Sequence, residues 1–259
     1  MSPITRKLEG KVAIVTGGSR GIGEGIVKNL AEAGAYVVVN YTSSNTQADA
    51  LVAEIISNGG KAITVQADMG TIEGPQKIVD AAVDTFGKID IIVNNAGVAG
   101  GIPLGSITAE NYEKIYNVNV RGPLFLVQAA APHLQEYGRI INITSVAART
   151  VSPNITVYGS SKAALESMSR YWASEFAEKN ITSNCINPGP VSTDMMNNYI
   201  ATMAKEQSDA FLQDILSRAL FKRVAQPVDI ATVTTFLASS DSQWITGDVL
   251  GANGGMVFV

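Results

Sequence analysis

The stretch that decides the fold is KVAIVTGGSRGIGEGIVKNLAEAG, residues 11–34. It opens with KVAIVT, a short apolar run with β-branched residues that reads as a strand. It closes with GIVKNLAEAG, a helix stopped near Gly34. Between them TGGSRGIG (16–23) places glycines at 17, 21 and 23, where the chain must turn sharply and let a ligand approach its backbone. The helix that follows offers free N–H groups and a partial positive charge to a pyrophosphate. Strand, glycine turn and helix in that order are the context in which such a turn binds a nucleotide. The spacing is G-x-x-x-G-x-G, not G-x-G-x-x-G, and the Gly-Lys-Ser/Thr of a P-loop is missing.

The alternation continues outward from this unit. YVVVN (36–40), KAITVQAD (61–68), IDIIVNNAG (89–97), RIINITS (139–145), ITSNCIN (181–187) and DVLGANGG (248–255) read as strands. TQADALVAEIISNGG, PQKIVDAAVDTFG, the regions of about 110–137 and 156–179, and PVDIATVTTFLAS read as helices, the last opening on Pro227. Near-continuous apolar strands are buried on both faces. The fold class is therefore α/β: a single Rossmann-type domain over residues 1–259, with a doubly wound parallel sheet of about seven strands and helices on both faces. Residues 190–225 interrupt the alternation with Met195, Met196, Tyr199, Met203, Phe211, Leu212 and Leu216, which suggest one or two amphipathic helices. An insertion after a strand's carboxyl end overhangs the crevice where such sheets bind ligands. It is expected to be a helical substrate lid.

The 259 residues are 46% hydrophobic and 16% charged with a net charge of −4, an ordinary globular composition without the basic stripe of a nucleic-acid binder. Cys185 is the single cysteine, which excludes an internal disulfide framework, and its setting reads as a buried strand. His133, the single histidine, sits in AAAPHLQEYG and reads as a surface or packing residue late in a helix. No metal site is expected. MSPITRKLEGK has charges but no apolar h-region, and no apolar run approaches 18 residues, so the expected compartment is the cytosol.

The end of the second strand bears on which dinucleotide is bound. An NAD site places Asp or Glu about 20 residues on, to hold the ribose 2′-hydroxyl. Here VVVNYTSSN has no carboxylate. Arg20, with Tyr41, Thr42 and Ser43 opposite, would instead hold a 2′-phosphate, a group that a guanidinium fork suits, and Asn40 just before them is a further expected cofactor contact. The cofactor is read as NADPH (NADP+).

With these motifs in place, the chain resembles the short-chain dehydrogenase/reductase family in its common single-domain form, and the resemblance covers nearly its whole length. It implies a cofactor turn at Gly17, Ser19, Arg20, Gly21, Ile22 and Gly23, and an adenine contact at Asp68 and Met69. NNAG (94–97) would line the cofactor through Asn95, Ala96 and Gly97. NPGPVSTDM (187–195) would bring Pro188, Gly189, Val191, Thr193 and Met195 beside the nicotinamide. The implied catalytic tetrad is Asn119, Ser145, Tyr158 and Lys162, with 13 residues from Ser145 to Tyr158. Asn253-Gly254-Gly255 stands where the family often has D-G-G, a structural position. The VNYTSS segment looks like those of NADPH-dependent reductases of acyl or aromatic polyketide ketones. The family also implies a homodimer or homotetramer, paired through the two long helices and the last strand.

Tyr158 and Lys162 are one helical turn apart and share a face. An ordinary tyrosine pKa is about 10. A neighbouring cation is expected to lower it and make Tyr158 a general acid or base near neutrality. Ser145 would hold the reacting oxygen, Lys162 the nicotinamide ribose, and Asn119 a water relaying protons to Lys162. The substrate pocket is expected at Val98, Ala147, Ile155, Pro190, Met196 and Tyr199, mostly small or apolar residues suited to an apolar or aromatic ketone or its alcohol. Arg149 is the one nearby cation the pattern leaves without a place. Three alternatives stay open: an alcohol dehydrogenase working oxidatively, a silent nucleotide-binding scaffold, and a scaffold redirected to non-redox chemistry.

Overall fold

The computed structural model describes residues 6–201 and 203–258. Seven strands form one sheet: β1 (Val12–Val15), β2 (Tyr36–Tyr41), β3 (Lys61–Gln66), β4 (Ile89–Asn94), β5 (Leu134–Ile143), β6 (Thr182–Pro188) and β7 (Val249–Ala252). Their order is β3-β2-β1-β4-β5-β6-β7, and every pairing is parallel. The order reverses between β1 and β4, so the loops leaving these two strands diverge and open a crevice at their carboxyl ends.

Alternation along each strand builds two apolar layers. Ala13, Val15, Val37 and Val39 pack with α1 (Gly21–Glu32), α2 (Asn45–Ser57) and α9 (Pro227–Ala238) through Ile26, Leu30, Leu51, Ile230 and Leu237. Ile14 and Val38 face the other way, onto α3 (Glu73–Phe86), α5 (Gly122–Ala130) and α6 (Thr156–Glu175) through Ile78, Val79, Leu126, Leu165 and Trp172. Each fully buried Val or Ile contributes roughly 1.5–3 kcal/mol. A polar residue on either face of β1 would therefore be costly, and none stands there.

The single helix expected over about 110–137 is corrected. It is three pieces: α4 (Ala109–Tyr116), a π-helical turn (Asn117–Arg121) and α5, which stops at Ala130. Thr108 starts α4 with a capping box, Asn111 N–H donating to Thr108 Oγ1 at 3.2 Å. Pro132 has no N–H and cannot extend α5. β5 begins at Leu134, so His133 lies in a turn rather than a helix, where its carbonyl accepts from Ile89 N–H at 3.2 Å. The helix expected to reach residue 179 also ends early. α6 stops at Glu175, a 3-10 turn spans Ala177–Lys179, and Asn180 closes it in the left-handed region with φ of 55°.

Residues 190–225 carry two helices, α7 (Asp194–Ala201) and α8 (Lys205–Arg218). The segment is anchored at its far end by Leu220 N–H on Gly254 O at 2.9 Å and by a parallel bridge between Val191 and Ala225. Asn253 is buried and serves the turn before the C-terminus. Its Oδ1 accepts from Met256 N–H at 3.1 Å, and its amide donates to Val257 O at 3.0 Å. Among the described residues, no helix is long and apolar enough to cross a membrane.

Candidate active site

The glycine turn is locked to the loop after β4. Thr16 Oγ1 accepts from the N–H groups of Asn95 and Ala96, both at 3.0 Å. Asn95 Nδ2 donates to Thr16 O at 2.8 Å and Gly17 O at 3.1 Å. Gly17 sits at φ of 61°, a conformation side chains resist. A Cβ on Gly23 would stand 2.1 Å from Gly17 O and 2.6 Å from Asn95 Nδ2, so only glycine fits. Arg20 precedes α1 in extended conformation and makes no side-chain cap, which leaves the first-turn N–H groups of that helix to a ligand. A tight cradle under an uncapped helix N-terminus fits a dinucleotide's pyrophosphate.

Asn40 is buried and turned inward. It accepts from Gly17 N–H at 3.2 Å and donates to Ala67 O at 2.9 Å, so its side chain shapes the turn from beneath. The surface at this end of β2 is left to exposed Arg20, Thr42 and Ser43 and half-buried Tyr41. Asp68 is exposed and accepts from Gly70 N–H at 2.8 Å, while Met69 is buried below it. Ser19 is buried and Ile22 half-buried within the turn.

The four candidate catalytic residues come together at the carboxyl ends of β4 and β5. Ser145 leaves β5 and accepts from Ala147 N–H at 3.2 Å, starting a 3-10 turn over Val146–Ala148. Its hydroxyl is also close enough to the Tyr158 side chain on α6 to favour the phenolate. Lys162, one turn on, is buried, lies 5.9 Å from the Tyr158 ring centre and donates to Ile143 O at 2.9 Å. The small residues between them have a structural reason. A Cβ on Gly159 would stand 2.8 Å from Ala147 O, so its absence lets α6 close on the Ser145 turn. Ser161 donates to Tyr158 O at 2.7 Å and accepts from Asn119 Nδ2 at 3.0 Å.

One expectation is corrected here. Burial pushes the Tyr158 phenol above its ordinary value, only partly offset by the Ser145 hydroxyl, so the expected lowering by Lys162 does not dominate. Burial also pulls Lys162 down to about 8. Asn119 is buried in the π-helical turn with its side chain engaged. Oδ1 accepts from Val98 N–H, and Nδ2 donates to Val98 O, each at 2.9 Å. That clamp sets the loop after β4, including Gly97, whose Cα faces Lys162 Nζ. Cys185 is a buried, inert thiol pushed up to about 12 by burial, in keeping with its reading as a core residue.

The stretch expected beside the nicotinamide (187–195) begins at the end of β6. Pro188 is buried, Gly189 and Pro190 half-buried, and Val191 buried. Thr193 Oγ1 donates to Val191 O at 3.3 Å, and its methyl faces Gly21 across the crevice. Of the expected pocket, Val98, Ala147, Ile155, Pro190 and Met196 are half-buried. They follow β4, β5 and β6 and so share one rim. Met195 and Tyr199 are more exposed on α7, where the Tyr199 ring meets Phe211 of α8 edge-on at 5.6 Å. Ile102 N–H donates to Asn154 O at 2.6 Å, strapping the two loops of the rim together. Among the described residues, no three His, Cys, Asp or Glu side chains gather to hold a metal ion. Sequence reasoning misses Thr16 and Glu166. The signal for Glu166 is its position four residues after Lys162, on the same buried face of α6.

Residues 17–257 match the protein family described as "Enoyl-(Acyl carrier protein) reductase". The chain is 46% identical over 255 residues to the "Short-chain dehydrogenase/reductase FrzI" of Cladobotryum sp, covering 96% of each chain. It is 40% identical over 260 residues to the "Versicolorin reductase stcU" of Emericella nidulans, again covering 96% of each. Among solved structures, the angucycline C-6 ketoreductase LanV with bound NADP matches with a TM-score of 0.87 and 35% identity, over 96% of both chains. With similarity running nearly end to end on a seven-stranded parallel sheet, the chain belongs to the short-chain dehydrogenase/reductase family of oxidoreductases.

Proposed function

We propose that the protein is an NADPH-dependent carbonyl reductase acting on an apolar or aromatic, polyketide-like ketone. The observation that carries this reading is the convergence of the Ser145 and Tyr158 hydroxyls, with Lys162 buried beside them, at the open end of the sheet. The relatives named for versicolorin and angucycline reduction support the aromatic substrate class. The rim residues Val98, Ala147, Ile155 and Met196 bring no charge to it.

NADPH, when bound, supplies the hydride to the carbonyl carbon. Every other task falls to side chains of this chain. Ser145 donates a hydrogen bond to the carbonyl oxygen and orients it, an oxyanion-type role. Tyr158 hands its phenolic proton to the same oxygen as negative charge builds there. Its raised pKa suits this direction, because the acid form is the one present at neutral pH. Lys162 would hold the nicotinamide ribose, and Asn119 keeps the loop beside Lys162 in place. Thr193, Val191 and Met195 would line the nicotinamide. Two copies would pair through the α4–α5 and α6 faces and the β7 edge, where Tyr112, Leu124 and Tyr171 are exposed.

The cofactor choice rests on Arg20, exposed at the mouth of the turn and opposed by no carboxylate between residues 37 and 46. A charge-assisted hydrogen bond contributes roughly 1.5–3 kcal/mol. Arg20→Ala is therefore expected to raise the NADPH Kd at least about tenfold and leave the NADH Kd within about twofold. Isothermal titration of each nucleotide checks this. Equal losses for both would remove the 2′-phosphate assignment.

A further inference from the structure

We propose that the Glu166–Arg149 ion pair is a positioning device that fixes the Ser145 turn against α6 and acts on the reaction through Ser145. The inference rests on the reading that Ser145 and Tyr158 carry out the reduction. Glu166 is 3% exposed, yet its carboxylate meets three points around Ser145. Oε2 accepts from Arg149 Nε at 2.6 Å, four residues after Ser145. Oε1 lies 3.3 Å from Thr144 Oγ1, the residue before Ser145, which shares its proton with Ile186 O at 2.9 Å. Oε1 also accepts from Asn187 Nδ2 at 3.2 Å, and that same amide donates to the carbonyl of Ser145 at 2.7 Å.

The orientation of Asn187 shows how strongly this arrangement is imposed. Its Oδ1 is buried without a partner, an arrangement that leaves the cost of desolvating it unrepaid. Turning the amide over would set that oxygen against two acceptors, the Glu166 carboxylate and the Ser145 carbonyl. A buried carboxylate in turn requires a compensating cation. Arg149 is the cation paired with it, and its side chain remains 38% exposed. Beyond it, residues 151–154 are exposed and belong to no helix or strand. Arg149 thus ties the free end of the Ser145 turn to the helix bearing Tyr158 and Lys162. A hydroxyl that must meet a developing oxyanion has to be held within about 0.5 Å. This also gives Arg149 the place the sequence leaves open, as a counter-ion and not a substrate ligand.

The test compares wild type with Arg149→Ala, Arg149→Lys, Ser145→Ala and the Ser145→Ala/Arg149→Ala double variant. The readouts are steady-state reduction of a bicyclic aryl ketone such as 1-tetralone and titration with NADPH. Arg149→Ala is expected to lower kcat at least about tenfold, as a small misplacement of a reacting group does. KM and the NADPH Kd should stay within about twofold, and Arg149→Lys should recover most of the rate, because it restores the charge. Ser145→Ala alone should cost about 10²-fold or more. In that background the loss of Arg149 should cost less than about twofold, the non-additivity of two groups acting through one. Unchanged kcat in Arg149→Ala, a loss carried by KM or Kd, or full additivity in the double variant would overturn the proposal. A crystal structure of Arg149→Ala gives a reading independent of turnover. Displacement of Ser145 Oγ from Tyr158 supports the proposal, and an unmoved Ser145 contradicts it. Failure of the underlying reading looks different: Ser145→Ala would keep the full wild-type rate.

Discussion

Tyr158→Phe should lower kcat for ketone reduction about 10³-fold, within the range that general acid catalysis contributes. The substitution removes one oxygen and keeps the ring, so the packing of α6 against the Ser145 turn is retained. Lys162 keeps its hydrogen bond to Ile143 O at 2.9 Å. The NADPH Kd should therefore stay within about twofold. The pH dependence follows from the direction of the shift. A phenol raised above its ordinary value is protonated throughout the neutral range and is lost as a donor only in strong alkali. Wild-type reduction should accordingly show no ionisation of Tyr158 between about pH 6 and 8. Alcohol oxidation, which needs the phenolate as base, should accelerate as the pH rises. Initial rates in both directions over this range check the assignment. Full activity in Tyr158→Phe would refute it.

Gly23→Ala should destabilise the protein and abolish cofactor binding together. The added Cβ would overlap Gly17 O at 2.1 Å, and backbone cannot swing aside as a side chain can. Relief requires the Gly17 carbonyl to move, which breaks the Asn95 hydrogen bond to it at 3.1 Å and loosens the Thr16–Asn95 lock between β1 and β4. Overpacking of this kind costs about 3 kcal/mol, or roughly 6–12 °C in Tm for a chain of this size. The cradle that would receive the pyrophosphate is the part displaced, so NADPH binding should fall at least about a hundredfold, near 3 kcal/mol. Thermal unfolding with and without NADPH separates the two effects. Wild type should gain stability from the nucleotide, and the variant should gain none. A variant with wild-type Tm and affinity would show that the turn is looser than its contacts require.

The sheet was legible because its strands are apolar on both faces and its helices end at glycine signals such as Gly34 and Gly87. The break between α4 and α5 was not, because apolar periodicity runs on through the π-helical turn at Asn117–Arg121. Pro132 was the available sign that α5 must stop before β5. The positions of the site were legible as ordered motifs, yet the state of the site was not. Adjacency of Tyr158 and Lys162 suggests a lowered phenol pKa, whereas tertiary burial decides the opposite sign. Asn40 looks like a cofactor contact by position, but its side chain turns inward to Gly17 and Ala67. Arg149 and Glu166 lie 17 residues apart on different elements, and only the closure of α6 on the Ser145 turn brings them together.

The proposed function stands on transfer of a hydride from NADPH to a carbonyl carbon. That transfer can be followed by incubating the protein with an aryl ketone and NADPH carrying deuterium at the transferable C4 position, with NMR of the product. The expected product is an alcohol with deuterium on the carbinol carbon, formed as NADPH is consumed. With an α,β-unsaturated ketone in its place, deuterium on the β-carbon and a carbonyl left intact would mark alkene reduction instead. That result, or no consumption of NADPH with any ketone, would contradict the proposed function.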